Sequence, residues 1–292
     1  MREKQPEWCV DLDASQISEL SDAADALIKA GVPMSEVTRE NFPLPTLSAM
    51  AREWRQQMAT GRGFVVARGL PVQDWGEEKS SFVFWGLGHH LGSPGAQNAS
   101  EELLGHVRDY GESDAPMTRQ YRTAGNINFH CDAADVVGLL CLQNAREGGQ
   151  SRIVSSLTVF NWLYEAQPEL VPRLFEPFAL DRRNEANAEM GAWLPIQPCC
   201  YDADGVLRTF YHSEYFRSAE RHADVDIDEA GKKLLDAYDG LCMDPDLHLD
   251  MWLQPGDMQF ISNHSIAHAR TGYTDWPEEA RKRHLLRLWL SI

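Results

Sequence analysis

The chain has 292 residues, of which 43% are hydrophobic and 24% are charged, and this composition suits a globular protein with a substantial core. The formal net charge of -17 argues against nucleic acid as a partner, because phosphates attract a basic surface, and it gives no attraction to an anionic membrane. We therefore expect a small-molecule partner and a single domain over residues 1–292.

Cysteine usage and the first residues predict the compartment. The six cysteines form no Cys-x-x-Cys pair, so the sequence indicates neither a zinc cluster nor a disulfide framework. The first residues lead into no apolar stretch of the signal-peptide type, and no run of about 18 apolar residues follows. We therefore expect a cytoplasmic protein without a membrane span.

The N-terminal part, residues 1–60, is predicted to be helical. Residues 14–31 and 45–60 each place apolar side chains at helical spacing and end at a glycine. The short β-rich run 64–69 between glycines then predicts a core strand. Residues 78–91 predict a further helix.

The stretch 92–126 is polar, rich in glycine and proline, and without clear periodicity. Such a stretch is typical of a functional loop or of a disordered one. Gln97, Asn98, Arg119 and Tyr121 are candidate substrate contacts in it. Each of them is also compatible with an ordinary loop residue.

Residues 128–132 carry the first pattern with metal chemistry. On an extended strand, the period of two puts His130 and Asp132 on one face, where an imidazole and a carboxylate can bind one metal ion. His268, at the end of an apolar run after a Pro-Gly turn, is the best-placed third ligand. Two histidines and one carboxylate leave the opposite side of an octahedral metal open, as non-haem Fe(II) oxygenases require.

An alternative metal-binding pattern begins at His264, four residues before His268. His264 and His268 could form a zinc pair on a helix. The sequence contains no His-Glu-x-x-His pattern, however, and a turn followed by a β-rich run is the wrong context for a helix. These observations argue against a zinc pair, and the family resemblance given below implies His268 as the ligand, with His264 in the core or behind the site.

Further patterns indicate a mixture of strands and helices. The remaining predicted elements are the strand 136–142, the helix 156–176 interrupted by two prolines, the helix 228–242, and the strands 249–253 and 258–263. Between them, residues 180–217 predict an insertion containing a hairpin, whose turn is Asp202-Ala203-Asp204-Gly205. Tyr215 in this insertion is a candidate substrate contact, although the sequence offers no means of choosing among its polar residues.

The C-terminal segment carries two arginines with the spacing of one strand face. If this segment is extended, the side chains of Arg283, Leu285 and Arg287 point the same way. Two arginines on the face of a terminal strand are costly unless they meet anions. We therefore expect carboxylates or comparable groups to bind there.

Together, several of these motifs resemble the TauD/TfdA family of Fe(II)/2-oxoglutarate-dependent dioxygenases, which includes clavaminate synthase-like enzymes. The resemblance extends from about Gly61 to the C-terminus, and the motifs that carry it are His130-x-Asp132, Gly148-Gly149-Gln150-Ser151, Gly256-Asp257, Asn263, His268-Ala269-Arg270 and Arg283-x-x-x-Arg287. It implies an α+β, mainly β fold, namely a double-stranded β-helix (jelly-roll) barrel with flanking helices. Residues 180–217 would then form a lid.

The resemblance also implies roles for single residues. His130, Asp132 and His268 would hold Fe(II), with 2-oxoglutarate and O2 as cosubstrates. Arg283 would bind the distal carboxylate of 2-oxoglutarate. Ser151, at a position where the family's Gly-Gly-Asp-Thr motif has threonine, would also contact this cosubstrate, and Arg287 would meet an anionic group of the substrate.

The function implied is oxidation, by default hydroxylation, of an unactivated C–H bond in a small, anionic or amino-acid-like metabolite, with release of succinate and CO2. Desaturation and cyclisation remain alternatives, whereas the carboxylate of Asp132 argues against halogenation. Two further alternatives are a noncatalytic metal-binding barrel and an oxygenase that modifies proteins. A homo-oligomer is compatible with the sequence.

Overall fold

The computed structural model describes residues 5–97, 102–112, 118–183 and 191–292, so the candidate substrate contact Asn98 lies outside the described residues. The α-helices described are α1 (Gln5–Trp8), α2 (Ala14–Ala30), α3 (Leu47–Ala59), α4 (Val72–Leu91), α5 (Ser156–Ala166), α6 (Ser213–Ser218) and α7 (Glu229–Cys242). The strands described are β1 (Cys9–Asp11), β2 (Phe64–Arg68), β3 (Ser93–Gly95), β4 (Gly105–Val107), β5 (Ile127–His130), β6 (Val136–Gln143), β7 (Glu147–Gly148), β8 (Ser151–Ser155), β9 (Phe178–Asp181), β10 (Trp193–Ile196), β11 (Cys199–Tyr201), β12 (Leu207–Thr209), β13 (His248–Met251), β14 (Met258–Ser262), β15 (Ile266–Arg270), β16 (Tyr273–Thr274) and β17 (His284–Ser291).

The larger sheet has the strand order β1-β2-β14-β6-β17-β3, and β4 also pairs with β17. Its neighbouring strands are antiparallel except for β1 and β2. One face packs on α2, α3 and α4, where Trp54, Phe84 and Phe260 are buried together with Leu286. The sequence patterns predicted most of these elements, but β3 and β4 form short strands in a stretch that was expected to be irregular, because both add to the edge of β17.

The smaller sheet has the order β13-β8-β15-β5 and is antiparallel throughout. Its inner face packs against the larger sheet, since Val137 and Ile261 of the larger sheet share one buried cluster with Ile153 and Ile266 of the smaller one. Its outer face is covered by α5 and α7. The described chain is therefore a sandwich of two facing sheets between two layers of helix, and the described strands do not join into a single closed sheet.

The expected insertion consists of the hairpins β9–β10 and β11–β12 followed by α6. The predicted turn lies between β11 and β12, where Asp202 accepts hydrogen bonds from the backbone of Asp204 and Val206. Within the described residues, no helix has the length and apolar character needed to cross a membrane.

Candidate metal and cosubstrate site

A cavity of about 550 Å³ lies among β5, β6, β15, β17 and the insertion, a size typical of small-molecule sites. Strand β17 forms one wall of the cavity, because its side chains alternate between two faces. Leu285, Arg287 and Trp289 line the cavity, whereas Leu286 and Leu288 enter the core beneath α4. The candidate residues that line it are Gln97, Arg119, Tyr121, His130, Asp132, Ser151, Tyr215, His268, Arg283 and Arg287. Arg283, which immediately precedes β17, therefore lines the same cavity as Leu285 and Arg287, in agreement with the predicted common face.

His130, Asp132 and His268 converge at one side of this cavity. His268 on β15 is the direct partner of His130 on β5, and the two ring centroids are 4.3 Å apart. The Nε2 atoms of His130 and His268 lie 3.8 Å from Oδ1 and Oδ2 of Asp132, respectively. One ligand atom from each residue falls within 4.8 Å of the others, so the three side chains could hold one metal ion.

His264 lies apart from this group. Its Nε2 atom is 2.8 Å from Oδ1 of Asp135, on an exposed part of the surface. The side chain does not line the cavity. The choice of His268 over His264 is thus supported by where the two rings point.

Asp132 follows the end of β5 and is fixed by two other parts of the chain, at Asn263 and on β17. Its backbone N–H donates to Oδ1 of Asn263 at 2.9 Å, and Asn263 in turn donates to the carbonyl of Ala134. The indole of Trp289 donates to Asp132 Oδ2 at 3.0 Å. Burial opposes ionisation of this carboxyl, but the charge of Arg287, the adjacent His268 and His130 and the Trp289 hydrogen bond together outweigh burial and hold the pKa of Asp132 below its ordinary value.

The Nε2 atoms of both imidazoles face the carboxylate of Asp132. Nδ1 of His130 lies 2.9 Å from the carbonyl of Asn128. A carbonyl can only accept, so Nδ1 must carry the proton and Nε2 is left as the donor atom for a metal. Burial lowers the pKa of His268 to about 3, and the neighbouring His130 acts in the same direction. Two imidazoles and a carboxylate form a donor set that fits Fe(II).

Arg283 lies deep in the cavity wall. It is 5% exposed, its guanidinium is 5.0 Å from the ring of Tyr273, and its Nη1 atom has no hydrogen-bond partner among the described residues. Burial lowers the pKa of this guanidinium, so an anion beside it would be strongly stabilised. Ser151, at the start of β8, also lines the cavity, but its hydroxyl donates to Oε1 of Gln259 at 2.9 Å.

Arg287 is held by Gln97. Its Nε donates to Gln97 Oε1 at 2.8 Å, and the amide nitrogen of Gln97 donates to the carbonyls of Arg287 and Leu103. The Nη1 atom of Arg287 lies 3.8 Å from Asp132 Oδ2. The polar atoms of Gln97 are therefore engaged within the protein, and this residue positions Arg287 rather than offering free groups to the cavity.

The sequence patterns missed Trp289 and His212. Trp289 continues the alternation of Arg283, Leu285 and Arg287 and could have been found by it. The backbone of His212 forms an isolated antiparallel β-bridge with that of His130, and the two ring centroids are 5.0 Å apart. The ring of His212 also stacks on that of Tyr215, with centroids 3.7 Å apart. His212 and Tyr215 follow the second hairpin in a stretch without periodicity, so only the tertiary structure places them beside the site.

Two facing sheets with an open His-Asp-His group form the kind of site that binds non-haem iron in oxygenases. Residues 29–289 match the family described as "Taurine catabolism dioxygenase TauD, TfdA family". The chain belongs to this family. It is an Fe(II)- and 2-oxoglutarate-dependent dioxygenase, an oxidoreductase that uses O2.

Several curated relatives match along much of the chain. "FR-33289 synthase" of Streptomyces rubellomurinus is 28% identical over 299 residues, covering 98% of this chain and 86% of the relative. "Taurine hydroxylase-like protein SAT17" of Stachybotrys chartarum is 27% identical, covering 97% and 74%. "Uridine-5'-phosphate dioxygenase" of an Amycolatopsis species is 29% identical over 175 residues, covering 56% and 60%.

Solved structures share the fold at lower identity. Asparagine oxygenase in complex with Fe(II), 2S,3S-3-hydroxyasparagine and succinate matches with a TM-score of 0.78 and 17% identity, covering 97% of this chain and 93% of that chain. The non-haem iron oxygenase OrfP in complex with Fe and alpha-ketoglutaric acid gives a TM-score of 0.72 and 15% identity, covering 97% and 94%. The two facing sheets described above are thus the fold of these oxygenases.

Proposed function

We propose that this dioxygenase hydroxylates an unactivated C–H bond of a small, anionic or amino-acid-like metabolite. The convergence of the Nε2 atoms of His130 and His268 on the carboxylate of Asp132 is the observation that carries the proposal. We propose that these three residues hold Fe(II). When bound, the iron and 2-oxoglutarate supply the oxidising chemistry, with O2 consumed and succinate and CO2 released.

The chain's own residues orient the metal ligands, and the walls of the cavity exclude water. Asn263 and Trp289 hold the carboxylate of Asp132 toward the two imidazoles. The carbonyl of Asn128 keeps the proton of His130 on Nδ1 and the lone pair of Nε2 toward the metal position. Because the groups around the site are already fixed, little reorganisation is needed when cosubstrate and substrate bind.

We assign the cosubstrate's distal carboxylate to Arg283. Its unpartnered Nη1 atom and its burial favour a bidentate carboxylate. Ser151 would add a hydroxyl donor if it exchanged its bond to Gln259 for one to the cosubstrate. Arg287, positioned by Gln97 beside Asp132, would face the substrate, and Tyr215 would form part of the opposite wall.

The size of the cavity favours a metabolite over a protein substrate, because about 550 Å³ suits a small molecule. Similar proteins point the same way: their names and complexes mention hydroxyasparagine, taurine and uridine 5'-phosphate, all small and charged. Hydroxylation is the outcome we favour over desaturation or cyclisation, since hydroxylated amino acids occur in those complexes.

Finer points of architecture and location also belong to this proposal. The two sheets would form the double-stranded β-helix of the family, with residues 180–217 as the cover over the cavity.

The cysteines Cys9, Cys131, Cys141, Cys199, Cys200 and Cys242 are all free thiols. Free thiols suit a reducing compartment, which supports a cytoplasmic location.

Two alanine variants test the proposed ligands. His268→Ala should abolish both tight binding of Fe(II) and substrate-dependent release of succinate, because an open three-ligand site cannot spare a ligand. His264→Ala, four residues away and bonded to Asp135, is the matched control and should keep both. If His264→Ala instead lost iron while His268→Ala retained it, the ligand assignment would be wrong.

A further inference from the structure

Two consecutive arginines lie where the insertion meets the cavity. Arg182 closes the β9–β10 hairpin through its backbone bond to Ala192, and Arg183 follows with φ of 47°. On a regular strand, neighbouring side chains point to opposite faces. The left-handed conformation of Arg183 ends this alternation, and Arg182 and Arg183 are both among the residues that line the cavity.

This backbone conformation is held by Asp181. The carboxylate accepts the backbone N–H of Arg183 at 2.9 Å, and it also binds the guanidinium of Arg221 at 2.7 and 3.0 Å. A left-handed conformation costs a residue with a side chain about 1–2 kcal/mol, so it persists only where the surroundings impose it. The charge of Asp181 is directed to Arg221 and His222, not to the side chains of Arg182 and Arg183.

The other nearby carboxylate is also engaged. The two oxygens of Glu214 accept hydrogen bonds from Asn128 and Gln120, each at 2.7 Å. Nη2 of Arg183 forms an ion pair with this carboxylate at 3.6 Å, which is longer than a hydrogen bond. Within the described part of the chain, the buried Nε atoms of Arg182 and Arg183 have no hydrogen-bond partner.

Aromatic stacking fixes the direction of Arg183. Its guanidinium lies 3.9 Å from the ring of Tyr215, Tyr215 stacks on His212 at 3.7 Å, and His212 is 5.0 Å from His130. The arginine therefore stands on the His130 side of the proposed metal site. Arg283, by contrast, packs against Tyr273, so the two positively charged regions are separate.

We propose that Arg182 and Arg183 form an anion subsite that binds a doubly charged, tetrahedral phospho group of the primary substrate, either a phosphate monoester or a phosphonate. A guanidinium binds two oxygens of one anion in parallel, so two adjacent guanidinium groups match a dianion with three terminal oxygens better than a single carboxylate. The subsite rests on the proposed function only in that its ligand is the molecule to be oxidised. The phospho group would then bind guanidinium atoms that Glu214 and the rest of the described chain leave without a hydrogen bond.

Calorimetry on the Fe(II)- and 2-oxoglutarate-loaded protein without O2 tests the subsite, because the cosubstrate keeps Arg283 occupied and no turnover occurs. The probes are methyl phosphate, methylphosphonate and acetate. We expect at least one phospho probe to bind more tightly than acetate, and the tighter of the two identifies the source of the phospho group. Arg183→Gln should weaken that binding at least tenfold.

The exposed Arg146 provides the matched control, since it lies outside the cavity beside Glu147. Arg146→Gln should leave binding of the probe unchanged. If Arg183→Gln fails to fold, Arg182→Gln, at the more exposed position, should show the same loss. Unchanged binding in folded Arg183→Gln, or acetate binding more tightly than both phospho probes, would overturn the subsite. If the unmutated protein developed no visible absorption band with Fe(II) and 2-oxoglutarate, this result would instead count against the proposed function. The probes can then be titrated into the metal-free protein to test the subsite separately.

Discussion

Replacing Arg283 by lysine should selectively damage the binding of 2-oxoglutarate. A guanidinium donates two parallel hydrogen bonds to a carboxylate, whereas an ammonium keeps the charge but loses this fork. Arg283 is 5% exposed, so water has little access to replace the lost bond. Each hydrogen bond to a charged group contributes about 1.5–3 kcal/mol, and about 1.4 kcal/mol corresponds to a factor of ten.

We therefore expect Arg283→Lys to raise the apparent KM for 2-oxoglutarate at least about tenfold, with a smaller effect on the primary substrate. The assay is steady-state succinate release at varied 2-oxoglutarate, together with anaerobic titration of the cosubstrate to obtain Kd. Arg287→Lys is the matched comparison, because the two arginines are on one strand face about 13 Å apart at the usual rise per residue.

Arg287→Lys loses the bond from Nε to Gln97 and should act on the primary substrate while sparing 2-oxoglutarate. If Arg287→Lys lowered the affinity for 2-oxoglutarate and Arg283→Lys did not, the assigned register would be shifted by four residues and the two roles would be exchanged. An effect of Arg287→Lys on stability alone would show that this arginine serves only Asp132 and Gln97.

Three further changes test the supports of the site. Asp132→Gly should vacate a metal position and lower both iron affinity and turnover, measured by iron titration and succinate release; full activity would exclude the carboxylate as a ligand. Trp289→Phe removes the donor to Asp132 Oδ2 and should weaken iron binding about 10- to 100-fold with little change in the unfolding midpoint, whereas unchanged iron affinity would show that the indole does not orient the ligand. Gly256→Ala introduces a side chain at φ of 92° directly against the carbonyl of Leu70, so urea unfolding should show a loss of about 2 kcal/mol or more, and no loss would mean that this turn relaxes freely.

Local patterns in the sequence were sufficient to predict most of the longer helices and strands. The helical spacing before Gly31 predicted α2, and the unbroken apolar run 136–142 predicted the buried strand β6. Alternation also predicted that Arg283, Leu285 and Arg287 share a face. These predictions succeeded because the period of a helix or strand is a local property that burial imposes on neighbouring residues.

The strands β3 and β4 were missed for the opposite reason. Each has three residues, and each exists because it pairs with the edge of β17, which is distant in sequence. The same limit applies to Gln97. The sequence made Gln97 a candidate substrate contact, whereas the fold places its amide against Arg287, and only the structure reveals this contact.

At the site, the three candidate ligands were predicted by motif, but their supports were not. His130 and His268 meet because β5 and β15 are paired, which a motif with the right spacing can indicate. The conformation of Arg183, the engagement of Glu214 and the position of His212 all depend on contacts between distant segments. Such contacts leave no periodic pattern in the sequence, so the anion subsite emerged from the structure alone.

The most direct test of the account is an anaerobic titration of the purified protein with Fe(II) and 2-oxoglutarate, followed by visible absorption. We expect a weak metal-to-ligand charge-transfer band that saturates at one iron per chain, requires both components, and is lost in His268→Ala but kept in His264→Ala. If no band developed in the unmutated protein, or if His268→Ala kept it, the proposed His130, Asp132 and His268 site would be contradicted.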